Sequence, residues 1–162
     1  MKGNVVTVER VIAAPPEAIF DVLADPARHH LIDGSGMLQG PRPDVPTRLS
    51  LGATFGMGMK VVVRYATVNR VIDFEEGRRI AWRTGPDGLA GRLLAGRVWR
   101  YELEPVSGGT RVKESWDITD DHQRVLLKLG DIYSAKTRRD MKRTLERLEQ
   151  VVTTPEPSGA PA

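Results

Sequence analysis

Glu114 stands at a position where its strand pattern calls for an apolar side chain. Along Arg111 to Ile118, alternation puts Val112, Glu114, Trp116 and Ile118 on one face and Arg111, Lys113, Ser115 and Asp117 on the other. Two neighbouring segments alternate the same way. Arg79 to Thr84 sets Ile80, Trp82 and Thr84 against Arg79, Ala81 and Arg83, and Val98 to Glu104 sets Trp99, Tyr101 and Leu103 against Arg100, Glu102 and Glu104. All three tryptophans and one of the three tyrosines therefore share an inner face with a single carboxylate. Such aromatics can simply fill a core. A buried carboxylate, however, must be hydrogen-bonded, protonated or wetted, because unpaired burial costs several kcal/mol. Either a partly hydrated cavity or a satisfied buried hydrogen bond meets that need, with the indole N–H groups and the Tyr101 hydroxyl as partners.

The segment Lys60 to Phe74 offers further polar groups, but its faces are ambiguous. If Arg64 and Arg70 point outward, then Val63, Tyr65, Thr67 and Asn69 point inward. The opposite register makes Arg64 an inner cation able to bind a carboxylate or enolate, and a bulge can change the answer partway. His29 and His30 can line the mouth of a pocket, where either would serve as an acid–base group, although exposed surface histidines are the expected reading. Tyr133 joins Leu126, Leu129 and Ile132 on an apolar helical stripe.

Several chemistries are excluded or unsupported. The chain has no cysteine, which removes disulfides and thiolate chemistry. The three histidines lack metal-ligand spacing, so no metal and no cofactor is expected. No phosphate-binding loop and no G-x-S-x-G nucleophile elbow occurs.

The elements that must position these residues follow from periodicity. Val5 to Ala13 reads as a β-branched strand ending at Ala14-Pro15-Pro16, where proline opens a helix bearing Ala18, Ile19, Val22 and Leu23 on one face. A second short helix spans about Ala27 to Ile32. Asp33 to Arg48, rich in glycine and proline, reads as a long irregular loop, and Gly85 to Gly96 as a second candidate entrance loop. Strands are expected at Leu49 to Gly56, Lys60 to Phe74, Arg79 to Thr84, Val98 to Glu104 and Arg111 to Thr119, with turns at Glu76-Gly77 and Ser107-Gly108-Gly109. From Asp120 to about Val152 one amphipathic helix is expected, broken near Gly130. It carries eight Lys and Arg against four Asp and Glu between His122 and Val152, mixed signs that fit a solvated face.

The expected fold is therefore α+β. A curved antiparallel sheet of six to seven strands wraps around a long C-terminal helix, with two short helices after the first strand. Residues 1–152 should form one domain and 153–162 a disordered tail. There is no stretch of 18 or more apolar residues and no leader-like start, so a cytoplasmic protein without stable membrane insertion is expected.

Five segments together resemble the SRPBCC superfamily, the helix-grip group that includes START lipid carriers, polyketide cyclases and the Bet v 1 allergens. They are A-P-P-E-x-I-F-D-V-L-A-D-P within Val8 to Pro26, R-H-H-L-I-D-G-S-G from Arg28 to Gly36, F-E-E-G-R-R-I-A-W-R from Phe74 to Arg83, W-R-Y-E-L-E-P from Trp99 to Pro105 and G-G-T-R-V-K-E-S-W-D from Gly108 to Asp117. The D-G-S-G variant looks like an actinobacterial-type subfamily. The resemblance implies a helix-grip cavity holding a lipid or polyketide-like molecule, with Trp82, Trp99, Tyr101, Glu114, Trp116, Tyr65 and Tyr133 as binding residues. It also implies an alternative: a polyketide cyclase or dehydratase, in which Arg64 stabilises an enolate and Tyr65, His30 or Glu114 relays protons. A third reading is an interaction module using the basic helix toward protein, RNA or membrane. The first reading expects a small-molecule partner, no nucleic acid, and a monomer or homodimer.

Overall fold

A computed structural model describes residues 3–41, 45–60, 64–86, 96–122 and 131–154. Seven strands form one antiparallel sheet: β1 Val5–Ile12, β2 Leu38–Pro41, β3 Thr54–Lys60, β4 Arg64–Glu75, β5 Arg79–Pro86, β6 Arg97–Val106 and β7 Gly109–Asp117. Their order across the sheet is β1-β7-β6-β5-β4-β3-β2. Successive hairpins build β3 to β7, and β1 closes one side by pairing Val8 with Glu114 and Val6 with Trp116. The Glu76-Gly77 and Ser107-Gly108 turns are made by glycines at φ 69° and 85°, a region other residues enter with strain.

Helix α1, Pro16–Leu23, starts on a proline whose missing N–H is unneeded in the first turn. It buries Ile19, Phe20, Val22 and Leu23. Asp25 then accepts a hydrogen bond from the Ala27 N–H at 2.9 Å and starts the 3-10 turn Pro26–Arg28, which runs into the short helix α2, His29–Ile32. Helix α3, Asp131–Thr153, carries Met141, Leu145 and Leu148 at steps of four and three residues, all buried. It packs along β1, α1 and α2 and closes one core with the inner face of the sheet.

The D-G-S-G segment seats α3. The Asp33 carboxylate accepts hydrogen bonds from the Ser35 N–H, the Ser35 hydroxyl and the Leu38 N–H. The Gly34 N–H donates to the Thr144 hydroxyl at 3.1 Å, and Arg147 donates to the Asp33 carbonyl. A Cβ on Gly34 would lie 2.0 Å from the Asp140 carbonyl oxygen, so the helix backbone can come this close only to glycine.

Three expectations change. Asp33 to Arg48 is not wholly irregular, because Leu38–Pro41 pairs with β3 as an edge strand. The strand expected at Leu49 to Gly56 lies at Thr54–Lys60. Leu51 and Gly52 form a turn, and Gly56 and Gly58 sit inside the strand instead of ending it. The ambiguous segment resolves locally: Asn69 is buried and Arg70 exposed, and a bulge at Ile72 shifts the register between Val71 and Asp73. That bulge bends β4 and adds to the curvature of the sheet. The expected break near Gly130, the 87–95 part of the second loop and the tail beyond Thr154 lie outside the described residues.

Candidate functional site

Antiparallel register makes a two-by-two block of side chains on the inner face of β6 and β7. Trp99 pairs with Trp116, and two residues along each strand Tyr101 pairs with Glu114. The indoles lie 6.1 Å apart at 41°. Trp116 is buried, whereas Trp99 is half-buried and packs against the core from its margin. The next row, Leu103 and Val112, is fully apolar and buried. Polar chemistry is therefore confined to the middle row.

Glu114 is 1% exposed. The Tyr101 hydroxyl donates to its Oε1 at 2.9 Å, and its Oε2 has no partner among the described residues. Of the two ways to satisfy this carboxylate, the hydrogen bond to Tyr101 supplies half. Removal from water pushes the Glu114 carboxyl up to about 8, a shift the Tyr101 hydrogen bond only partly opposes. Burial also raises the Tyr101 phenol well above its usual range, and the neighbouring Glu114 adds to this. Near neutral pH the pair is thus an un-ionised acid beside an un-ionised phenol. It can donate a proton in a hydrogen bond and can exchange one without first creating a charge.

An aromatic cluster flanks the pair. Trp82 on β5 lies 5.6 Å from Tyr101 and 5.3 Å from His29, whose ring stacks on the indole at 23°. Phe55 on β3 meets both Trp82 and His29 edge-on. This corrects the expectation of an exposed His29: the residue is 4% exposed, and its Nε2 hydrogen-bonds the Leu23 carbonyl at 2.8 Å. Burial lowers its pKa to about 4, so the ring is neutral and works as a packed aromatic. The signal was present in the sequence, because His29 and the buried Ile32 are three residues apart on one helical face. Phe55 lies within the strand expected at Leu49 to Gly56, but no alternation there assigns its face, so the sequence alone does not bring it to this cluster.

His30, a candidate proton relay, is exposed on α2, and its Nδ1 meets the Ala27 carbonyl within its own turn. It is not brought beside Glu114. Arg64 and Tyr65 open β4 and Tyr133 falls in α3, but their side chains lie outside the described residues. Asn69 is held by the Thr84 hydroxyl, which donates to its Oδ1 at 2.6 Å, and it donates in turn to the Phe55 carbonyl.

An open depression of about 500 Å³ lies on the opposite, outer face of the sheet, lined by residues such as Glu9, Arg79, Glu102, Arg111 and Lys113. Its charges face one another: Lys113 pairs with Glu102 at 2.9 Å and Arg111 with Glu104 at 2.5 Å. Arg79 Nε lies 2.8 Å from Asp73 Oδ2 without the alignment of a hydrogen bond. Exposed, mutually paired charges bind little. The inner-face acid is the more promising chemistry. Among the described residues no cluster of three His, Cys, Asp or Glu could hold a metal ion, and no helix is long and apolar enough to cross a membrane.

Comparison with known proteins agrees with this architecture. A family model described as polyketide cyclase / dehydrase and lipid transport matches residues 4–153. An uncharacterised protein of Mycobacterium tuberculosis, Rv0088, is 34% identical over 108 residues, which are 65% of this chain and 44% of the relative. The chain thus matches less than half the length of that curated relative. Among solved structures, a protein of Arthrobacter aurescens superposes with a TM-score of 0.71 at 12% identity, covering 95% of this chain and 88% of the other. A Mesorhizobium loti protein gives 0.64 at 18% identity, covering 91% and 96%. DynU16, from the dynemicin biosynthetic locus, gives 0.64 at 15% identity, covering 93% of this chain and 48% of DynU16.

Proposed function

Because the chain belongs to the polyketide cyclase / dehydrase and lipid transport family, we propose that it binds and carries an apolar or aromatic small molecule against the inner face of its sheet. The observation that carries this reading is the middle row of the β6–β7 block: a buried carboxyl with one oxygen tied to Tyr101 and the other unpartnered among the described residues, one row from the half-buried Trp99. Small-molecule sites combine an apolar wall with a few convergent polar groups. Trp99 and Trp116 supply stacking area, and Glu114 with Tyr101 supplies orientation.

A second reading, a cyclase or dehydratase, is favoured by one feature. An un-ionised Glu114 beside Tyr101 can protonate a carbonyl oxygen as an enol forms, and the resulting carboxylate can take a proton back. Under this reading Glu114→Gln, which keeps a donor but cannot give up its proton, binds a poly-β-ketone and loses its turnover, followed by mass spectrometry of products. Under carriage alone the same compounds bind and leave unchanged.

Native mass spectrometry of the purified protein, followed by tryptophan-fluorescence titration with fatty acids, sterols and aromatic polyketides, tests the main reading. A bound mass, or saturable quenching that Trp99→Ala abolishes, is the expected result. No bound mass and no quenching by any class would overturn it.

A further inference from the structure

We propose that Glu114 sets ligand selectivity: its unpartnered Oε2 donates a hydrogen bond to an uncharged acceptor, such as a ketone, quinone or ester carbonyl, and the site turns away carboxylates. The inference rests on the ligand-binding reading above and names the chemistry of what binds.

The valences of the carboxyl carry the argument. Tyr101 occupies Oε1, so an ionised Glu114 would be a buried anion with one hydrogen bond, and a neutral Glu114 carries a proton with no acceptor. The surroundings decide between them. Across the sheet Glu114 faces Val8 on β1 and Tyr101 on β6, and its own-strand neighbours on that face are Val112 and Trp116. Helix α3 contributes Met141, Leu145 and Leu148 to the same core. Among the described residues, His29 is neutral and stacked on Trp82, and Asp33 acts on Tyr101 while its carboxylate is taken up by Ser35 and Leu38. None of these is a cation. Burial accordingly holds the acid in its neutral form up to about pH 8.

A neutral acid is a single strong donor, and a carbonyl oxygen is the acceptor that completes it without introducing charge. A carboxylate ligand would also accept the proton, but it would bring a charge into a face where none of the named groups is cationic. Its desolvation is the larger effect. Geometry sets the shape of the ligand as well. Successive inner-face rows are about 7 Å apart, so a ring stacked at Trp99 and Trp116 places a carbonyl at Glu114 when ring and oxygen are separated by about that distance. A bicyclic aromatic ketone has this reach.

The test uses three probes that share one ring system: 2-acetonaphthone, 2-naphthoate and naphthalene. Each is titrated against the wild type, Glu114→Gln and Glu114→Leu by native mass spectrometry and tryptophan fluorescence. At about pH 6.5 the wild type is expected to bind the ketone at least about tenfold more tightly than the naphthoate, and to lose about tenfold of ketone affinity at about pH 9.5 as the donor ionises. Glu114→Gln keeps a donor amide and should hold the ketone at both pH values, whereas Glu114→Leu should hold it no better than naphthalene. Infrared difference spectra should show a carboxylic-acid carbonyl band at about pH 6.5 that Glu114→Gln removes. Naphthoate binding as tightly as the ketone, ketone affinity unchanged in Glu114→Leu, or absence of that band overturns the selectivity assignment alone. Failure of all three probes to bind overturns this inference, and the ligand-binding reading falls with it only if fatty acids, sterols and aromatic polyketides also fail to bind.

Discussion

Replacing Gly34 by alanine tests how the D-G-S-G segment holds the C-terminal helix. The new methyl would lie 2.0 Å from the Asp140 carbonyl oxygen, 2.5 Å from the Thr144 nitrogen and 2.9 Å from the Arg143 Cβ, whereas ordinary contact begins near 3.4 Å. Two of these three atoms are helix backbone, so no rotamer change relieves the clash. The loop and α3 must separate by more than an ångström. That movement breaks the hydrogen bond from the Gly34 N–H to Thr144 and the one from Arg147 to the Asp33 carbonyl. Overpacking costs about 1–3 kcal/mol, and each lost hydrogen bond adds about 1 kcal/mol, for roughly 3–5 kcal/mol in total. For a chain of this size that corresponds to a fall in Tm of roughly 10–15 °C. Urea unfolding followed by circular dichroism measures it. Gly36→Ala is the control: Gly36 has φ 70° and open space around it, so its cost is backbone strain of about 1–2 kcal/mol. A Gly34→Ala variant within about 0.5 kcal/mol of wild type would refute the reasoning, because the close approach would then not constrain the helix.

Three further outcomes follow from the inner face. Glu114 has its pKa raised on folding, so its favourable contribution is present at low pH and is lost as pH rises toward about 8. His29 is lowered to about 4, so its contribution is present above its ordinary range and is lost as pH falls. The two oppose one another at acidic pH, and between pH 6.5 and 8 only Glu114 acts: stability should fall by about 2 kcal/mol over that interval, and Glu114→Gln should flatten it in urea titrations at fixed pH values. Tyr101→Phe removes the described hydrogen bond to the carboxyl, which should cost about 1–3 kcal/mol and extend the alkaline fall of stability to higher pH. His29→Phe keeps an aromatic against Trp82 and removes the acid-side titration, so acid unfolding should begin at lower pH. Leaving the Leu23 carbonyl unpaired should cost about 1 kcal/mol at neutral pH, measured by thermal melts.

Period and punctuation in the sequence determined most of the architecture. Alternation along Arg79 to Thr84, Val98 to Glu104 and Arg111 to Ile118 assigned Trp82, Tyr101, Glu114 and Trp116 to one buried face, because side chains on a strand have no third direction. Pro15-Pro16 and the apolar steps of Met141, Leu145 and Leu148 likewise marked the helices. Tertiary structure alone decided the rest. Register joined Tyr101 to Glu114 and Trp99 to Trp116, because a slip by two residues would have kept every side chain on its face and given it a different neighbour. A bulge at Ile72, invisible to a period of two, set which side of β4 faces inward beyond Val71. The aromatic partners of His29, Phe55 and Trp82, came from distant strands that its helical spacing does not reveal. The shift of Glu114 toward a neutral acid belongs to the fold as well, since a pKa reflects the water and charges around a group and not the residue type that carries it.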